Sequence, residues 1–573
     1  MGIKHFFMWF RTQFPENIYN LGNSETLASK DIHIDNLMID MNGIFHNAAQ
    51  KVYEYGNFKP QQRLISMKKK VMEQNIKSQI FVFKEVCKNI DEILTVTEPK
   101  KRVILCVDGT APLSKQNQQR QRRFKSAMDF EQNGHFDSNC ITPGTKFMDY
   151  LTKYIDWYIR KKITTEKKWQ DLDIIFSNEK APGEGEHKII NYIRYYGDPN
   201  DTFCINGMDA DLIMLALGTH LSKFYILREN MYSYNNKYFC LDIGNVHDNL
   251  VEILKWNSDK YQFNPKTAVD DFIFLCFMVG NDFLPHIPSI EIIENGIELI
   301  LEIYRKVGSS YGHITKKINN NVYFIPQSLQ VFLGTIGHYE KENLETKLQN
   351  KHNFFTDLIL EKSSTQIDGK WSVDIETYKQ IYWGQSFPLD VSQEQICHDY
   401  LEGMQWVISY YTRGVPNWKW NYKYHYAPPA SILANSLKTF KFKDYPHTSP
   451  STPYQQLLCV LPPKSAKLIP EPLCNLLTNS NSPLKSFCPD VFEIDLSGKR
   501  KEWEGIVLLP SVDFDLVRKA YLEILPKIEK MDLKCNTIGR TFQYKYNPSM
   551  SFLFKSYYGD IQDCKVNINL IDL

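Results

Sequence analysis

Ala181-Pro-Gly-Glu-Gly-Glu-His-Lys188 and Gly207-Met-Asp-Ala-Asp-Leu-Ile-Met-Leu215 are the two segments around which this sequence is organised. Each contains an acid-x-acid pair at the point where a short apolar run meets the start of a helix. Carboxylates that lie close together raise one another's pKa values, so a divalent cation is the expected counter-ion. The alternative for any single acid is that it caps a helix and favours the positive end of the helix dipole.

Other apolar runs in the chain end in the same way. Leu37–Met41 contains Asp40 and is followed by Asn42-Gly43, Arg102–Val107 is followed by Asp108-Gly109, and Asp173–Ser177 precedes the first acid pair. Helical spacing of apolar residues between positions 61 and 97 predicts one or two helices there. Strands that alternate with helices predict an α/β fold with a mostly parallel sheet, whose ligand site lies beyond the carboxyl ends of the strands.

A further acid, Asp282, follows the apolar segment 272–279 and the turn residues Gly280-Asn281. The acids that share this placement at strand or segment ends are Asp40, Asp108, Glu184, Glu186, Asp209, Asp211 and Asp282. Seven carboxylates exceed the needs of one octahedral ion, so they predict two Mg²⁺ ions, for which Mn²⁺ can substitute. Two such ions serve displacement at phosphorus. No set of His and Cys ligands for zinc lies nearby in the sequence.

A basic helix is predicted directly after the strand that ends at Asp108. Thr110 and Pro112 indicate its start, and its cationic and amide side chains at i, i+4, i+7 and i+8 are Lys115, Gln119, Arg122 and Arg123. These four residues share one face, and arginine offers bidentate geometry to phosphate. The face therefore predicts a pocket for a terminal phosphate, with a solvated helix surface as the alternative. The turn-rich segment 138–145 can add backbone donors.

Aromatic side chains crowd the region from Tyr400 to Tyr426, which also contains Trp418, Trp420 and several cations. Such a mixture can stack single-stranded bases, but most of these residues are interpreted as a core of Trp and Tyr. Residues 300–400 are interpreted as a connection in which Pro326 starts a helix. Residues 457–463 and 503–510 are predicted to be strand or packed loop.

Composition is that of an ordinary globular chain of about two to four domains. It has 573 residues, 43% of them hydrophobic, with a net charge of +1, so attraction of a polyanion would need a local basic patch. The 12 cysteines are scattered without a Cys-x-x-Cys pair, which indicates a reducing compartment. Neither a secretory signal nor a membrane-spanning segment is expected. A cytoplasmic location is predicted, with the nucleus as the alternative.

Several of these segments resemble, in order, the eukaryotic-type 5'→3' exoribonuclease (XRN) family. The resemblance is carried by Leu37–His46, Val107–Pro112, Asn117–Phe124, Ser138–Thr145, Pro182–Lys188, Asp209–Met214, Val279–Pro285, Trp418-Lys-Trp420, Tyr424–Pro428, Leu461-Pro-Pro463 and Trp503–Pro510. It extends over nearly the whole chain. It implies a metal-dependent enzyme, acting as a monomer, that degrades single-stranded RNA processively from a 5' monophosphate to mononucleotides.

The resemblance also implies an organisation and further site residues. A PIN/flap-nuclease-like core would occupy residues 1–300, a helical and polar connection residues 301–399, and a second conserved region bracing the active site residues 400–573. The seven acids would bind metal, the basic helix face would bind the 5' monophosphate, and His46 would stack on a base opposite Trp418 or Trp420. The added C-terminal domains of the long cytoplasmic form are expected to be absent.

Three alternatives belong to other functional classes. A catalytically idle nuclease fold that only binds RNA or scaffolds proteins would be favoured by loss of an acid, and none of the seven is missing. A haloacid-dehalogenase-like phosphatase would need Asp-x-Asp where this chain has Asp40 and Asn42. A DNA flap nuclease shares the metal chemistry, but the phosphate-binding helix face and the aromatic region favour a single strand with a free 5' phosphate.

Overall fold

Nine strands form the central sheet in the part of the chain that the structure describes. The computed structural model describes residue 3, residues 5–58, 76–133, 136–230, 233, 235–350 and 355–573. Within these residues the strand order of the sheet is β1-β7-β6-β5-β2-β3-β4-β14-β17. The strands are β1 Ile18–Leu21, β2 Asn36–Asp40, β3 Arg102–Cys106, β4 Asp173–Ser177, β5 Phe203–Asn206, β6 Phe224–Glu229, β7 Tyr238–Asp242, β8 Thr315–Ile318, β9 Asn321–Phe324, β10 Ser364–Ile367, β11 Lys370–Val373, β12 Glu493–Asp495, β13 Ile506–Leu508, β14 Thr541–Tyr546, β15 Phe552–Phe554, β16 Ile561–Cys564 and β17 Val566–Ile571.

The five central strands, β6, β5, β2, β3 and β4, are parallel to one another. Two antiparallel strands extend the sheet at each edge. The middle residues of the central strands are mostly apolar because both faces of a parallel sheet are covered. The predicted α/β fold is confirmed, and the predicted strands correspond to β2, β3, β4 and β5.

Helices cover both faces of the sheet. The helices are α1 Phe6–Gln13, α2 Met41–Tyr53, α3 Ile76–Thr97, α4 Leu113–Asn133, α5 Lys146–Thr165, α6 Lys167–Gln170, α7 Gly185–Tyr196, α8 Asp211–Leu217, α9 Ile243–Leu254, α10 Pro265–Cys276, α11 Gly296–Tyr311, α12 Pro326–Asn350, α13 Leu358–Lys362, α14 Ile375–Ser386, α15 Gln393–Thr412, α16 Ala430–Ser436, α17 Pro453–Val460, α18 Glu471–Thr478 and α19 Phe514–Ile524. Alternate residues of β3 point to opposite sides: Val103 and Leu105 join the core under α2, α3 and α5, whereas Ile104 and Cys106 join the core under α7 to α12. The predicted helix over 61–97 is confirmed from Ile76, and residues 61–75 lie outside the described part.

The C-terminal part of the chain completes the central sheet. β14 pairs with β4 and β17 pairs with β14, so residues 541–571 lie beside a strand that sequence analysis assigned to the nuclease core. The main hydrophobic core also includes Ile303, Phe332 and Trp406, so it crosses positions 300 and 400. The division into three regions at those positions stays a prediction.

One local prediction was wrong. Residues 457–460, expected as strand or packed loop, belong to α17, which begins with Pro453 and has a capping box formed by Thr452 and Gln455. Those start signals, rather than the apolar run that follows them, decide the conformation. The expectation of strand or packed loop for 503–510 is met by β13.

Candidate active site

The carboxyl ends of the central parallel strands bring the predicted acids to one edge of the sheet. Asp40 is the last residue of β2, which lies between β3 and β5 and pairs there with Cys106 and, one residue earlier, with Asn206. The loops after these neighbouring strands deliver the other acids. Asp108 follows β3, the Glu184/Glu186 pair starts α7 after β4, and the Asp209/Asp211 pair starts α8 after β5. Asp282 reaches the site from the turn that follows α10.

Gly185 allows two of these loops to approach closely. Its backbone N–H donates to Asp108 Oδ1 at 2.7 Å. A Cβ atom on Gly185 would lie 2.8 Å from Asp40 Oδ1 and 3.1 Å from the carbonyl oxygen of Cys106, so no other residue fits without a shift. The glycine therefore lets Glu184 and Glu186 flank the carboxylates of Asp40 and Asp108.

Lys115 connects a second group of acids. Its Nζ lies 2.5 Å from Glu184 Oε2, 2.8 Å from Asp282 Oδ2 and 4.0 Å from a carboxylate oxygen of Glu186. The side chain is buried, and the surrounding carboxylates, which outweigh the effect of burial, raise the pKa of Lys115. Sequence analysis assigned Lys115 to a terminal-phosphate pocket, but its ammonium faces the acid cluster.

Glu186 also belongs to a group of three acids suited to a hard cation. Carboxylate oxygens of Glu186, Asp209 and Asp211 lie within 4.8 Å of one another. Within the described part of the chain, no hydrogen-bond partner reaches the buried atoms Glu186 Oε2 and Asp211 Oδ1, whereas buried polar atoms are normally paired. An all-oxygen donor set with unpaired buried oxygens fits a divalent cation such as Mg²⁺.

Electrostatics within the cluster agree with this fit. Burial, followed by the Asp211 carboxylate, raises the pKa of Glu186 well above its ordinary range. Burial and the neighbouring Asp209 raise the pKa of Asp211 to about 6, and burial raises the pKa of Glu184 to about 7. Bringing these carboxylates together therefore costs free energy that a bound cation would offset.

Helix capping does not explain the acids at the helix starts. Asp40 and Glu184 are the N-cap residues of α2 and α7, and Asp211 is in the first turn of α8. None of these three helices has a side-chain hydrogen bond at its N-cap. The carboxylates point into the shared cluster instead.

Three residues that sequence analysis did not assign to the site hold the acids in place. Asn42 Nδ2 donates to Asp108 Oδ2 at 2.8 Å, and Asn42 Oδ1 accepts from the Asp108 backbone N–H at 3.0 Å. The Tyr410 hydroxyl donates to Glu184 Oε1 at 2.9 Å. Lys188 donates to the carbonyl oxygens of Val107 and Asn178, and burial lowers the pKa of Lys188 to about 8. Asn42 and Lys188 each lie two positions from a predicted acid in the sequence, whereas Tyr410 is more than 200 residues from Glu184.

The predicted phosphate-binding residues of α4 differ in their surroundings. Gln119 is buried, and its Oε1 has no hydrogen-bond partner. Arg123 donates to Thr142 Oγ1 in the turn-rich segment, and burial lowers the pKa of Arg123 to about 10. Arg122 is exposed. The two arginines and the side-chain amide N–H of Gln119 remain the candidate phosphate donors of this face.

His46 lies beside these arginines. Burial, followed by the charges of Arg122 and Arg123, lowers the pKa of His46 to about 4, so the imidazole is neutral at neutral pH. Trp420 stacks on the buried Trp406 with ring centroids 5.1 Å apart. Trp418 is half-buried, and its carbonyl oxygen accepts from the backbone N–H of Leu113 at the start of α4.

Much of the aromatic region around these tryptophans is core. Trp406, Tyr410, Tyr411 and Tyr422 are all buried. The interpretation of most of this region as a Trp and Tyr core is therefore confirmed.

Comparison with known families agrees with the residues assembled at this edge of the sheet. A family model described as "XRN 5'-3' exonuclease N-terminus" matches residues 1–230, and one described as "Xrn1 helical domain" matches residues 262–377 and 372–570. The chain belongs to the XRN 5'-3' exonuclease family. The XRN resemblance drawn from the sequence is thereby confirmed.

Individual XRN relatives match along almost the entire chain. It is similar to the 5'-3' exoribonuclease 1 of Homo sapiens, with 28% identity over 100% of this chain and 37% of the relative. It is also similar to the 5'-3' exoribonuclease 1 of Saccharomyces cerevisiae, with 28% identity over 98% of this chain and 46% of the relative. The chain thus spans less than half the length of these two relatives. Among solved structures, the catalytic core of Rad2 in complex with a DNA substrate matches with a TM-score of 0.32 and 13% identity, over 76% of this chain and 94% of that chain. A score this low does not establish a common fold.

Two further predictions concern the surroundings of the chain. Each of the twelve cysteines is free, and all but Cys474 are buried, as expected for reduced core cysteines. Within the described ranges, no helix has both the length and the apolar character needed to cross a membrane.

Proposed function

We propose that this chain is a processive 5'→3' exoribonuclease that hydrolyses single-stranded RNA with a 5' monophosphate to mononucleotides. The observation that carries the proposal is the convergence of all seven predicted acids in a chain that belongs to the XRN family. A catalytically idle scaffold would gain nothing from keeping these mutually repelling carboxylates together. The proposed cofactor is a pair of Mg²⁺ ions held by the seven acids.

The chemistry of the site follows from its donor set. Bound divalent cations would activate a water molecule and stabilise charge on the scissile phosphate. The residues of the chain position the carboxylates for this purpose: Asn42 and the Gly185 N–H hold Asp108, and Tyr410 holds Glu184. Because these contacts pre-form the site, little reorganisation is needed when the substrate arrives.

Recognition of the 5' end is proposed for the α4 face. Arg122 and Arg123 would donate to a terminal phosphate, and Gln119 would add an amide N–H. Lys115 would lie between this phosphate and the carboxylates of Glu184 and Asp282, which its ammonium contacts. A face with a limited number of donors favours one phosphate over a triphosphate or a cap. The 5'-monophosphate preference is supported by this inventory of side chains.

Grip on the RNA is proposed to come from stacking, which tolerates every base. His46, neutral and adjacent to the two arginines, would stack on a base near the 5' end. The packing of Trp420 against Trp406 favours Trp418 as the second stacking residue.

A monomer that acts in the cytoplasm completes the proposal, with the nucleus as the alternative location. Twelve free thiols support a reducing compartment. Sedimentation of the purified chain and microscopy of a tagged copy would check these two points.

Incubation with RNAs that differ only at the 5' end tests the proposed function. Monophosphate, hydroxyl and triphosphate forms of one single-stranded RNA, and a DNA of the same sequence, are incubated with the protein in Mg²⁺ or excess chelator, and the products are sized. We expect mononucleotides from the monophosphate RNA alone, and only with metal. Equal rates on hydroxyl and monophosphate ends, or cleavage to internal fragments, would contradict the proposal.

A further inference from the structure

A cavity of about 540 Å³ opens beside the acid cluster. Its wall is built from α1, one side of α4, the loop around Asp282 and the segments near residues 422–425 and 499–507. Asp282 lines it, as do Met208 and Ala210, the two neighbours of Asp209. Its volume is within the range of about 300–1,000 Å³ that is typical of small-molecule sites.

This cavity is separate from the stacking and phosphate-binding residues proposed above. Lys115, Gln119, Arg123 and His46 are all in the described part of the chain, and none of them lines the cavity. Arg122 is shared, because it belongs to the proposed phosphate face and also lines the cavity. The cavity therefore meets the reacting centre at Asp282 and the phosphate site at Arg122, and extends beyond both.

Four buried polar atoms in its wall lack a hydrogen-bond partner. They are Ser114 Oγ, Gln118 Oε1, Arg228 Nε and Asn281 Nδ2. Buried polar atoms are normally paired, and these four are covered by neighbouring protein atoms, so they would pair with a polar occupant only when their side chains turn toward the cavity. The set contains both donors and acceptors, as recognition of a ribose or of base edges requires.

The remaining wall favours an anion that carries a flat apolar group. Among the residues that the structure describes, the charged ones that line the cavity are four cations and one carboxylate: Arg122, Lys125, Arg228, Lys499 and Asp282. The Arg228 guanidinium lies 4.2 Å from the centre of the Phe7 ring and donates to the carbonyl oxygens of Met208 and Asp209. The aromatic side chains of Tyr424 and Trp503 also line the cavity, and aromatic rings pack on a planar group without hydrogen-bond selectivity.

We propose that this cavity receives the nucleoside 5'-monophosphate released in each cycle, an inference that rests on the proposed exoribonuclease function. In that reaction, water attacks the phosphate of the second nucleotide and the bond from phosphorus to the 3' oxygen of the first nucleotide breaks. The first nucleotide takes a proton on its 3' oxygen and leaves with its own 5' phosphate, and the shortened RNA keeps the new one. Arg122 gives the departing phosphate a cation in the wall of the cavity.

Product inhibition of the full chain tests this inference. AMP and UMP are used as probes, by calorimetry and as inhibitors of RNA hydrolysis, with the wild type, Gln118→Leu and Ser114→Ala. Gln118→Leu removes one of the unpaired atoms at nearly constant volume, and we expect about tenfold weaker AMP and UMP binding and a matching rise in both inhibition constants. The KM for RNA and the single-turnover rate should not change. Ser114→Ala should act in the same direction.

Two controls identify the site of binding. Gln170→Leu, on α6 and outside the cavity wall, should bind AMP like the wild type. Arg123→Ala should reduce end recognition of RNA. In the Arg123→Ala protein, Gln118→Leu should still weaken AMP binding, which separates the cavity from the phosphate face.

Three results would overturn the inference. Equal AMP affinity in the wild type and in both Gln118→Leu and Ser114→Ala would mean that the cavity holds only water. A rise in the KM for RNA in step with the inhibition constant would mean that it holds the substrate before cleavage. If the wild type hydrolyses no RNA but binds AMP through Gln118, the proposed function fails and the product role with it, while a nucleotide site remains.

Discussion

Asn42 provides a sharp test of how the acid cluster is organised. Its side chain makes two hydrogen bonds to Asp108, one of 2.8 Å to the carboxylate and one of 3.0 Å from the backbone N–H. Asn42→Leu removes both at similar volume. A hydrogen bond to a charged group contributes about 1.5–3 kcal/mol and a neutral one about 0.5–1.5 kcal/mol, which together give about 2–4.5 kcal/mol. If this loss falls on the transition state, kcat decreases about 30- to 2,000-fold.

Single-turnover hydrolysis of a 5'-monophosphate RNA in saturating Mg²⁺ measures this effect, with thermal melting as the check of folding. Asn249→Leu is the matched control, because it removes a 3.0 Å amide hydrogen bond to Asn17 outside the site. Asn42→Asp should be at least as slow as Asn42→Leu, since it places a carboxylate against Asp108. A folded Asn42→Leu variant with the wild-type rate would refute the positioning of Asp108 by Asn42.

The recognition residues give three further predictions. Arg122→Ala combined with Arg123→Ala should lower the rate on monophosphate RNA about 10²- to 10⁴-fold, because each lost charge-assisted contact costs about 1.5–3 kcal/mol. The rate should then be close to that on hydroxyl-end RNA. A retained end preference would show that the face is only solvated surface. His46→Ala should leave the melting temperature nearly unchanged but cause partly degraded intermediates to accumulate from long RNA, and complete degradation at the normal rate would argue against stacking. Trp418→Ala should behave like His46→Ala, whereas Trp420→Ala should lower the melting temperature because it removes the contact with Trp406; the reverse pattern would exchange their roles.

The sequence was sufficient to predict the acids because their local signal is strong. Each lies where an apolar strand or segment stops, and parallel strands bring such ends to one edge. The same rule placed Asp40, Asp108 and the two acid pairs, which are far apart in the chain, in one cluster.

Other features could not be read from the sequence because they depend on tertiary contacts. The spacing on α4 placed Lys115 on the same face as Arg122 and Arg123. It carried no information about the direction in which the flexible lysine side chain extends. The Lys115 ammonium contacts Glu184 and Asp282. The hydrogen bond from Tyr410 to Glu184 spans 226 positions.

The C-terminal strands show the same limit. β14 and β17 lack the apolar composition of the central strands, since they lie at one edge of the sheet. Their pairing with β4 is set by long-range topology rather than by a local pattern.

The metal-dependent exonuclease activity of the acid cluster is tested most directly by measuring the release of mononucleotides. The proteins compared are the wild type, Asp209→Ala and Glu184→Ala. All three proteins are given a single-stranded 5'-monophosphate RNA with Mg²⁺, and a parallel wild-type sample contains excess chelator. We expect the wild type to shorten the RNA from its 5' end one nucleotide at a time, and chelator to stop the reaction. Both variants should remain folded but nearly inactive, because each substitution removes an oxygen ligand from the cluster. A wild-type rate in either variant, or full activity in the presence of chelator, would contradict this expectation.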